Sequence, residues 1–370
     1  MEKPKIRFKG YQEDWEQRKL GTVTQEFKSG NSLKADNISE SGEYPVYGGN
    51  GLRGYTSTYN HDGEFALIGR QGALCGNMNY SIGKAYFTEH AVVVEANEEN
   101  NTRFIYYMLD TMNLGQYSDQ SAQPGLAVNK LIKLENMFPR KEEQVKIGNY
   151  FQSLDHLITL HQRKCEEIKT LKKYMLQKMF PQNGQSVPQI RFSGFTEDWE
   201  QRKLDDIVEF LDTMRKPLEG AKRISGPYPY YGASGIVDYV DGYLFDEELI
   251  LLSEDGANIT DRNYPVCFLA SGKYWVNNHA HVLRSKPANE NNFICTSLER
   301  KDYTQYNTGM AMPKLNKETC RKIPVLCPTF EEQQKIGDYF RSLDHLITLH
   351  QQKCDELRNI KKFMLQNMFI

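Results

Sequence analysis

The 370-residue chain lacks the features of a membrane or secreted protein. No apolar run approaches the roughly 20 residues that a membrane-spanning helix needs. No apolar stretch follows residues 1–5, so no signal peptide is expected. The seven cysteines are odd in number and none lies in a Cys-x-x-Cys pair, which argues against a disulfide framework or a zinc site. These absences predict a protein of the reducing cytoplasm.

Catalytic signatures are also lacking. The sequence contains no glycine-rich phosphate loop followed by Lys-Ser or Lys-Thr, and no Ser-His-Asp pattern stands out. The formal net charge is −2, so charge alone does not indicate nucleic-acid binding. We therefore expect no active site, metal site or cofactor in this chain. A hydrolase with a site formed by divergent loops is a less favoured alternative.

What the chain does contain is an internal duplication. Residues 6–20 return as residues 190–204 with 12 identities in 15 positions, at an offset of 184. Residues 142–180 return as residues 331–369 with 28 identities in 39 positions, at an offset of 189. Self-similarity of this kind predicts two copies of one architecture.

The middle of each copy is less similar. Short matches occur at both offsets: Tyr44-Pro45 with Tyr228-Pro229, Gly72-Ala73 with Gly256-Ala257, Gly83-Lys84 with Gly272-Lys273, His90-Ala91 with His279-Ala280, and Lys130-Leu131 with Lys314-Leu315. The last match returns to an offset of 184. The two copies are similar in sequence at their ends and divergent in the middle. This indicates that the helical ends share one role, while the module interiors differ in role or target.

Residues 141–180 and 329–370 are predicted to form long helices. Apolar residues recur there in steps of three and four, which is the spacing of a coiled-coil seam. The seam residues are Ile147, Phe151, Leu154 and Ile158 in the first helix, and Ile336, Phe340, Leu343 and Ile347 in the second. About 39 residues at ~1.5 Å per residue give a helix of ~58 Å. Thr329 and Glu332 match a capping box at the second helix start.

The short linker 181–188 limits how the helices can pair. If they pack on each other, the second helix must run back along the first, so the pair is antiparallel. The two modules would then lie at opposite ends and be related by a pseudo-two-fold axis. The alternative is that each helix packs only on its own module.

Residues 1–140 and 181–328 are predicted to be β-rich modules. Short apolar runs such as 65–68, 91–94 and 249–252 are bounded by turn residues, which is typical of strands in an α+β module. Basic residues do not outnumber acidic residues in either module. Neither module therefore has the basic character usual in a DNA-binding domain.

The chain resembles the specificity subunits of type I restriction–modification systems over its whole length. The resemblance rests on the order module–helix–module–helix, on the motif Glu-Asp-Trp-Glu-Gln-Arg-Lys-Leu at 13–20 and 197–204, and on the similar sequences at 138–147 and 328–336. It implies an α+β fold with two β-rich α/β target-recognition domains, separated by a pair of long antiparallel coiled-coil helices with pseudo-two-fold symmetry. The implied segments are recognition domain 1 (1–140), spacer helix 1 (141–180), recognition domain 2 (181–328) and spacer helix 2 (329–370).

The resemblance also implies function and partners. Each recognition domain would read one half of a bipartite site in double-stranded DNA, and the helices would set the spacing and dock two adenine-N6 methyltransferase subunits. Two ATP-dependent restriction and translocase subunits would join the complex. S-adenosylmethionine, ATP and Mg²⁺ would belong to those partners, and this subunit would be non-catalytic. The alternative is a coiled-coil scaffold whose two modules bind proteins.

Polar loop residues are the candidates for DNA contact. Residues 69–72 and 253–256 are aligned turns with different side chains, as readers of different bases should be. The candidates are Arg53, Arg70 and Gln71 in the first module, and Asn258 and Arg262 in the second. Lys130 and Lys314, placed in matched loops, would contact phosphate. The matched His90 and His279 are expected to be structural.

Overall fold

The computed structural model describes residues 3–118, 125–182, 184–220 and 223–370. It contains two compact units. Unit 1 comprises the chain up to Gln162 together with Gln352–Ile370, and unit 2 is Arg163–Gln351. Two helices dominate the chain, α3 (Lys141–Lys178) and α8 (Phe330–Met368). Because the division falls within both helices, each unit contains a module and a part of each helix.

Unit 1 is built on a mixed sheet. Its strands are β1 (Glu16–Lys19), β2 (Thr24–Ser29), β3 (Tyr44–Gly48), β4 (Gly51–Thr56), β5 (His61–Gly69), β6 (Met78–Phe87), β7 (Ala91–Ala96) and β8 (Glu135–Phe138). Its shorter helices are α1 (Thr102–Thr111) and α2 (Val128–Leu131). Six strands form one sheet in the order β2-β7-β5-β6-β3-β4, while β1 pairs with β8. Only the β3–β6 pairing in that sheet is parallel, among the described strands.

Local sequence explains the centre of this sheet. Strand β7 is rich in β-branched residues, and Val92, Val93 and Val94 are fully buried, as expected for a central strand covered on both faces. Helix α1 begins where the Asn101 side chain accepts a hydrogen bond from the Phe104 amide at 2.9 Å, a common N-cap. Its buried residues share a core with β5, β7 and the long helices.

Unit 2 repeats this path with interruptions. Its strands are β9 (Glu200–Lys203), β10 (Val208–Phe210), β11 (Ser225–Gly232), β12 (Gly235–Val240), β13 (Phe245–Asp246), β14 (Leu249–Ser253), β15 (Cys267–Ala270), β16 (Lys273–Val276), β17 (Ala280–Ser285) and β18 (Pro324–Cys327). Its shorter helices are α4 (Leu204–Ile207), α5 (Asn258–Asp261), α6 (Asn291–Glu299) and α7 (Lys317–Arg321). The sheet orders are β10-β17-β14-β15, β12-β11-β16-β13 and β18-β9. Strands β13 and β14 together occupy the place of β5, and β15 and β16 that of β6.

The structure corrects the sequence alignment. The offset changes from 184 to 189 once, in the loop between β14 and β15, where unit 2 has extra residues that include α5. Beyond that loop every paired element keeps the offset of 189: α1 matches α6, α2 matches α7, and β8 matches β18. The return to 184 around Lys130 and Lys314 was therefore wrong. Short matches of Gly, Ala and Leu are too common to fix a register.

The antiparallel pairing of the long helices is confirmed within each unit. In unit 1 the Cys354 Sγ donates to the Ile158 carbonyl at 3.7 Å, and the Lys361 Nζ lies 2.6 Å from Asp155 Oδ1. Residue numbers therefore decrease along α3 in the direction in which they increase along α8, so the two helices are antiparallel. The alternative in which each helix packs only on its own module is wrong.

Unit 2 shows the same arrangement. The Cys165 Sγ donates to the Ile347 carbonyl at 4.0 Å, and the Lys172 Nζ lies 2.5 Å from Asp344 Oδ1. The aromatic rings of Phe180 and Phe340 lie 5.9 Å apart. The pairing in both units matches the predicted coiled-coil architecture.

A buried ion pair joins the start of each module to the start of a long helix. The Arg7 Nε and Nη2 each donate to Glu143 at 2.7 Å, and Arg191 binds Glu332 with the same two distances. The carboxylate of Glu143 raises the pKa of Arg7 through these hydrogen bonds. Glu332 is therefore committed to Arg191, so its predicted role in a capping box with Thr329 is wrong.

Candidate nucleic-acid interface

The two modules share a backbone frame at the end of their central strands. In unit 1 the Arg70 amide donates to the His90 carbonyl and the Leu126 amide donates to the Arg70 carbonyl, both at 2.9 Å. In unit 2 the Glu254 amide donates to the His279 carbonyl at 2.9 Å, and the Leu315 amide donates to the Glu254 carbonyl at 2.7 Å. Hydrogen bonding is therefore preserved although Arg70 is replaced by Glu254.

We call these two regions the turn clusters. Turn cluster 1 consists of Gly49, Arg70, Gln71, His90 and Leu126. Turn cluster 2 consists of Ala233, Glu254, Asp255, His279 and Leu315.

The second turn residue contacts the histidine in both clusters. The Gln71 Oε1 lies 3.2 Å from the His90 Nδ1, and the Asp255 Oδ1 lies 2.8 Å from the His279 Nδ1. About half of each imidazole is exposed. The same geometry thus presents a neutral amide in one module and a carboxylate in the other.

Turn cluster 1 lies against the β3–β4 hairpin. A Cβ placed on Gly49 would lie 3.0 Å from the His90 carbonyl oxygen, so the hairpin turn approaches the frame closely. Arg53 on β4 is exposed and forms no hydrogen bond or ion pair within the described part of the chain. Arg70 is half-buried, since its Nη1 reaches the Glu89 carbonyl at 3.5 Å and its Nε is buried without a partner. Arg53 is the more available of the two cations.

Turn cluster 2 is supported by a network of charges. The Arg215 Nη1 lies 2.8 Å from Glu254 Oε2, and the Lys314 Nζ lies 3.4 Å from Glu254 Oε1. Behind them the buried His281 contacts Asp212 through Nδ1 at 2.8 Å and the Leu315 carbonyl through Nε2 at 2.7 Å. Both imidazole nitrogens are occupied, so this histidine supports the turn and is not free for proton transfer.

The His281–Asp212 contact is an ion pair. Burial lowers the pKa of His281, but hydrogen bonds to Asp212 and Cys320 outweigh burial and raise that pKa to about 10. Burial alone would raise the pKa of Asp212, yet the hydrogen bond from His281 holds it below its ordinary value. Unit 1 has Val92 at the position of His281, so the network belongs to the second module.

The surroundings of one candidate DNA contact, Asn258, correct its assignment. Asn258 is buried, and its Nδ2 donates to Ser253 Oγ at 2.9 Å and to the Pro265 carbonyl at 3.0 Å. It therefore stabilises the loop and is not available to a base. Arg262 is exposed and pairs with Glu299 on α6 at 3.2 Å, so its DNA contact stays a prediction.

The two lysines expected in matched loops do not occupy equivalent positions. Lys130 lies on the surface of α2, whereas Lys314 precedes α7 and pairs in a β-bridge with Asp255. The residue that corresponds to Lys130 is Thr319. The argument that a shared lysine contacts phosphate at this place was therefore wrong, although Lys314 itself lies beside turn cluster 2.

The residues predicted to dock partners on the helices are mostly in the core. Ile147, Phe151, Leu154, Ile158, Ile336, Phe340 and Leu343 are buried, and Ile347 is partly buried. A second set of apolar helix residues is exposed, with 36% to 54% of each residue accessible. These are Leu157, Leu160, Leu171, Tyr174, Leu346, Leu349, Ile360 and Phe363. The sequence indicates part of this set, because Leu157, Leu160 and Leu171 widen the apolar stripe of the first helix.

Two further findings concern residues 3–118, 125–182, 184–220 and 223–370, the part of the chain that the structure describes. No group of three or more His, Cys, Asp or Glu side chains there could hold a metal ion. No helix in that part of the chain is both long enough and apolar enough to span a membrane. The two modules keep one backbone frame and differ in its partly exposed side chains, so the chain belongs to the class of duplicated proteins with two divergent surface turns.

Comparison with known proteins identifies the family. The type I restriction modification DNA specificity domain matches residues 12–170 and 196–359. The chain belongs to this family.

Its relatives include specificity subunits of type I restriction enzymes. One from Escherichia coli is 44% identical over 156 residues, which cover 41% of this chain and 39% of that protein. One from Methanocaldococcus jannaschii is 22% identical over 74% of this chain and 71% of that protein. The S subunit structure from M. genitalium has a TM-score of 0.79 and 17% identity, and the match covers 100% of this chain and 99% of that chain. The last comparison shows that the fold is shared along the whole chain.

Proposed function

We propose that this chain is the specificity subunit of a type I restriction–modification complex and that each module reads one half of a bipartite, asymmetric site in double-stranded DNA. The observation that carries the proposal is the pair of turn clusters, which keep one backbone frame and differ in side chains that are partly or fully exposed. A change of side chain on a fixed backbone is how a protein changes the base it reads without changing its fold. The chain itself is non-catalytic and acts in the cytoplasm.

The side chains suggest the class of base edge that each module contacts. The exposed guanidinium of Arg53 can donate two hydrogen bonds to guanine, and the amide of Gln71 suits adenine. In turn cluster 2 the carboxylate of Asp255 can only accept, which suits the amino group of cytosine. Lys314 beside it suits a phosphate contact. The first half-site should therefore depend on donors from the protein, and the second on an acceptor.

Partners should supply much of the binding energy. Neither module has an excess of basic residues, whereas phosphate neutralisation dominates most DNA affinity. We propose that two adenine-N6 methyltransferase subunits, which use S-adenosylmethionine, supply the remaining contacts with DNA. Two ATP-dependent restriction and translocase subunits, which use ATP and Mg²⁺, would join for cleavage.

The exposed apolar residues of the helices are the proposed docking surface for the methyltransferase subunits. Unit 1 carries Leu157, Leu160, Ile360 and Phe363, and unit 2 carries their counterparts Leu346, Leu349, Leu171 and Tyr174. Each of the four exposed residues in one unit is therefore the repeat equivalent of an exposed residue in the other unit. Two equivalent surfaces suit two copies of one partner, which is the proposed stoichiometry.

The methylation pattern of a strain tests the DNA proposal. Co-expression with the methyltransferase should produce a bipartite adenine-methylation motif that disappears when this chain is deleted. Exchange of residues 22–138 for another such module should change one half-site only. In the first module Gln71→Ala should relax one base of the first half-site, and in the second module Asp255→Ala should relax one base of the second. A change in both halves from either substitution would contradict the division of labour.

Co-purification tests the docking surface. Leu160→Asp and Leu349→Asp should each weaken retention of the methyltransferase, and the double variant should abolish it, because a buried unpaired carboxylate is costly at an apolar interface. Gln162→Asp and Gln351→Asp place the same charge at exposed positions of the same helices and serve as controls. Full retention by the double leucine variant would remove these residues from the interface.

A further inference from the structure

A second exposed cluster is repeated in the two modules. In unit 1 the ring of Tyr44 lies 5.0 Å from that of Tyr59, and the Lys84 Nζ lies 4.6 Å from the centre of the Tyr59 ring. In unit 2 Tyr228 lies 5.2 Å from Tyr243, and the Lys273 Nζ lies 4.8 Å from the centre of the Tyr243 ring. We call each set of two tyrosines and one lysine a tyrosine–lysine stack.

The stack is retained where the modules otherwise diverge. The tyrosines match at an offset of 184 and the lysines at 189, on either side of the insertion that separates the two registers. Tyr59 and Tyr243 are 44% and 43% exposed, and both lysines are exposed. Core packing therefore does not require Tyr59, Tyr243 or the two lysines, and a shared surface role accounts for their retention.

The ammonium groups of Lys84 and Lys273 are available to bind an anion. Asp62 lies opposite Lys84 in the β5–β6 register, and Asp246 lies opposite Lys273 in β13–β16. Neither lysine forms an ion pair within the described ranges, since each ammonium lies over a tyrosine ring instead. A cation on an aromatic face remains accessible to an anion on its other side. The surface is thus suited to a phosphate group.

The position of the stack relative to the turn cluster supports the same ligand. Strand β3 runs from Tyr44 to Gly48, beside the turn of cluster 1. Four residues of strand span about 13 Å, and the major groove of B-form DNA is about 12 Å wide. When the turn cluster reaches base edges, the other end of the hairpin can reach a phosphate at the groove border. The corresponding strand β11 carries Tyr228 and Gly232 with the same spacing.

We propose that the two tyrosine–lysine stacks contact the DNA backbone in each half-site and add affinity without specifying sequence. Lys84 and Lys273 would each neutralise one phosphate, and the tyrosine rings would hold the lysine stems in place. This inference rests on the proposed DNA-binding function. A contact of this kind should be the same in both modules, because the backbone is common to all sequences.

The salt dependence of DNA binding tests the inference. The full subunit, assembled with its methyltransferase, is titrated with a duplex carrying the methylated motif and with a duplex in which both half-sites are scrambled. Lys84→Ala and Lys273→Ala should each reduce the slope of log K against log salt by about 0.9 on both duplexes, and the double variant by about 1.8. The methylation motif should remain unchanged. Lys19→Ala and Lys203→Ala, which remove exposed lysines from matched positions of β1 and β9, should leave the slope unchanged.

Two further variants sharpen the test. In unit 1 the Tyr44 hydroxyl donates to Glu43 at 2.6 Å, whereas Pro227 occupies the corresponding place in unit 2. Glu43→Gln removes a nearby anion and should increase affinity for both duplexes. Tyr59→Phe keeps the ring and should leave the slope at the wild-type value.

The outcomes separate the inference from its premise. A wild-type complex that binds both duplexes equally would contradict the proposed function itself. A complex that discriminates, but whose slope is unaffected by loss of both lysines, would refute the phosphate contact alone. Loss of the methyltransferase on gel filtration with an unchanged slope would instead make the stack a protein interface. An equal reduction from the Lys19 and Lys203 variants would show only a net-charge effect and would overturn the inference.

Discussion

Replacement of Glu332 by glutamine should destabilise unit 2 strongly while leaving its shape intact. Glu332 is fully buried and accepts two hydrogen bonds of 2.7 Å from Arg191, whose side chain is 11% exposed. The Arg191 Nη1 is already buried without a partner. Removal of the anion therefore leaves a guanidinium with little access to water.

The expected cost follows from these contacts. Breaking a buried ion pair from one side costs about 3–5 kcal/mol. Glutamine retains one carbonyl acceptor and so recovers part of one hydrogen bond, which places the loss near the lower value, at about 3 kcal/mol. For a domain of this size such a loss lowers Tm by roughly 6–12 °C.

Thermal and guanidinium unfolding of the subunit measure the effect, and the repeat provides the comparison. Glu143→Gln breaks the equivalent pair with Arg7 in unit 1 and should cost about the same. Glu13→Gln breaks the exposed pair with Arg140 and should cost less than about 1 kcal/mol. If Glu332→Gln costs no more than Glu13→Gln, the buried pair does not stabilise the junction as argued.

Two other perturbations have expected outcomes. Because the pKa of His281 is raised from 6.5 to about 10, its contribution to stability is complete below pH ~6.5 and is lost as the pH rises towards 10. His281→Val, which introduces the residue found in unit 1, should flatten the fall in unfolding free energy over that range, and identical pH profiles would contradict the ion pair. Insertion of seven helical residues after Gln162 and after Gln351 should lengthen the helix pair by about 10 Å and the spacer in the methylation motif by about three base pairs at ~3.4 Å each. An unchanged spacer would count against a role of the helices as a ruler.

The architecture could be predicted from the sequence because its signals are long and repetitive. Helices α3 and α8 carry a seam over many turns, and the 28 identities in 39 positions between the two copies define their extent. The antiparallel direction followed from the shortness of the linker between the first helix and the second module. These inferences depend on chain connectivity and periodicity, which a single sequence contains.

The site was harder to predict because it depends on contacts between distant segments. The sequence predicts the turn residues Arg70 and Gln71 as candidates, but their contacts with His90 and its flanking residues arise only when β5 and β7 pair. Glu332 looked like a helix cap until Arg191, 141 positions away, proved to be its partner. Asn258 is predicted to be a DNA contact because it is a polar residue in a loop. Its burial depends on contacts with Ser253 and Pro265, which the local sequence does not show. Local residue type does not reveal such partners.

The divergence between the modules also has a physical limit. The frame at the turn clusters consists of main-chain hydrogen bonds, which any residue except proline can make. Arg70 can therefore become Glu254 at no cost to the frame, but burial of a new carboxylate beside the sheet requires new cations. Arg215 and Lys314 supply them in unit 2, with His281 and Asp212 behind. A change of the reading turn from donor to acceptor thus requires several coordinated substitutions, which is why exchange of a whole module should change specificity more cleanly than exchange of one turn.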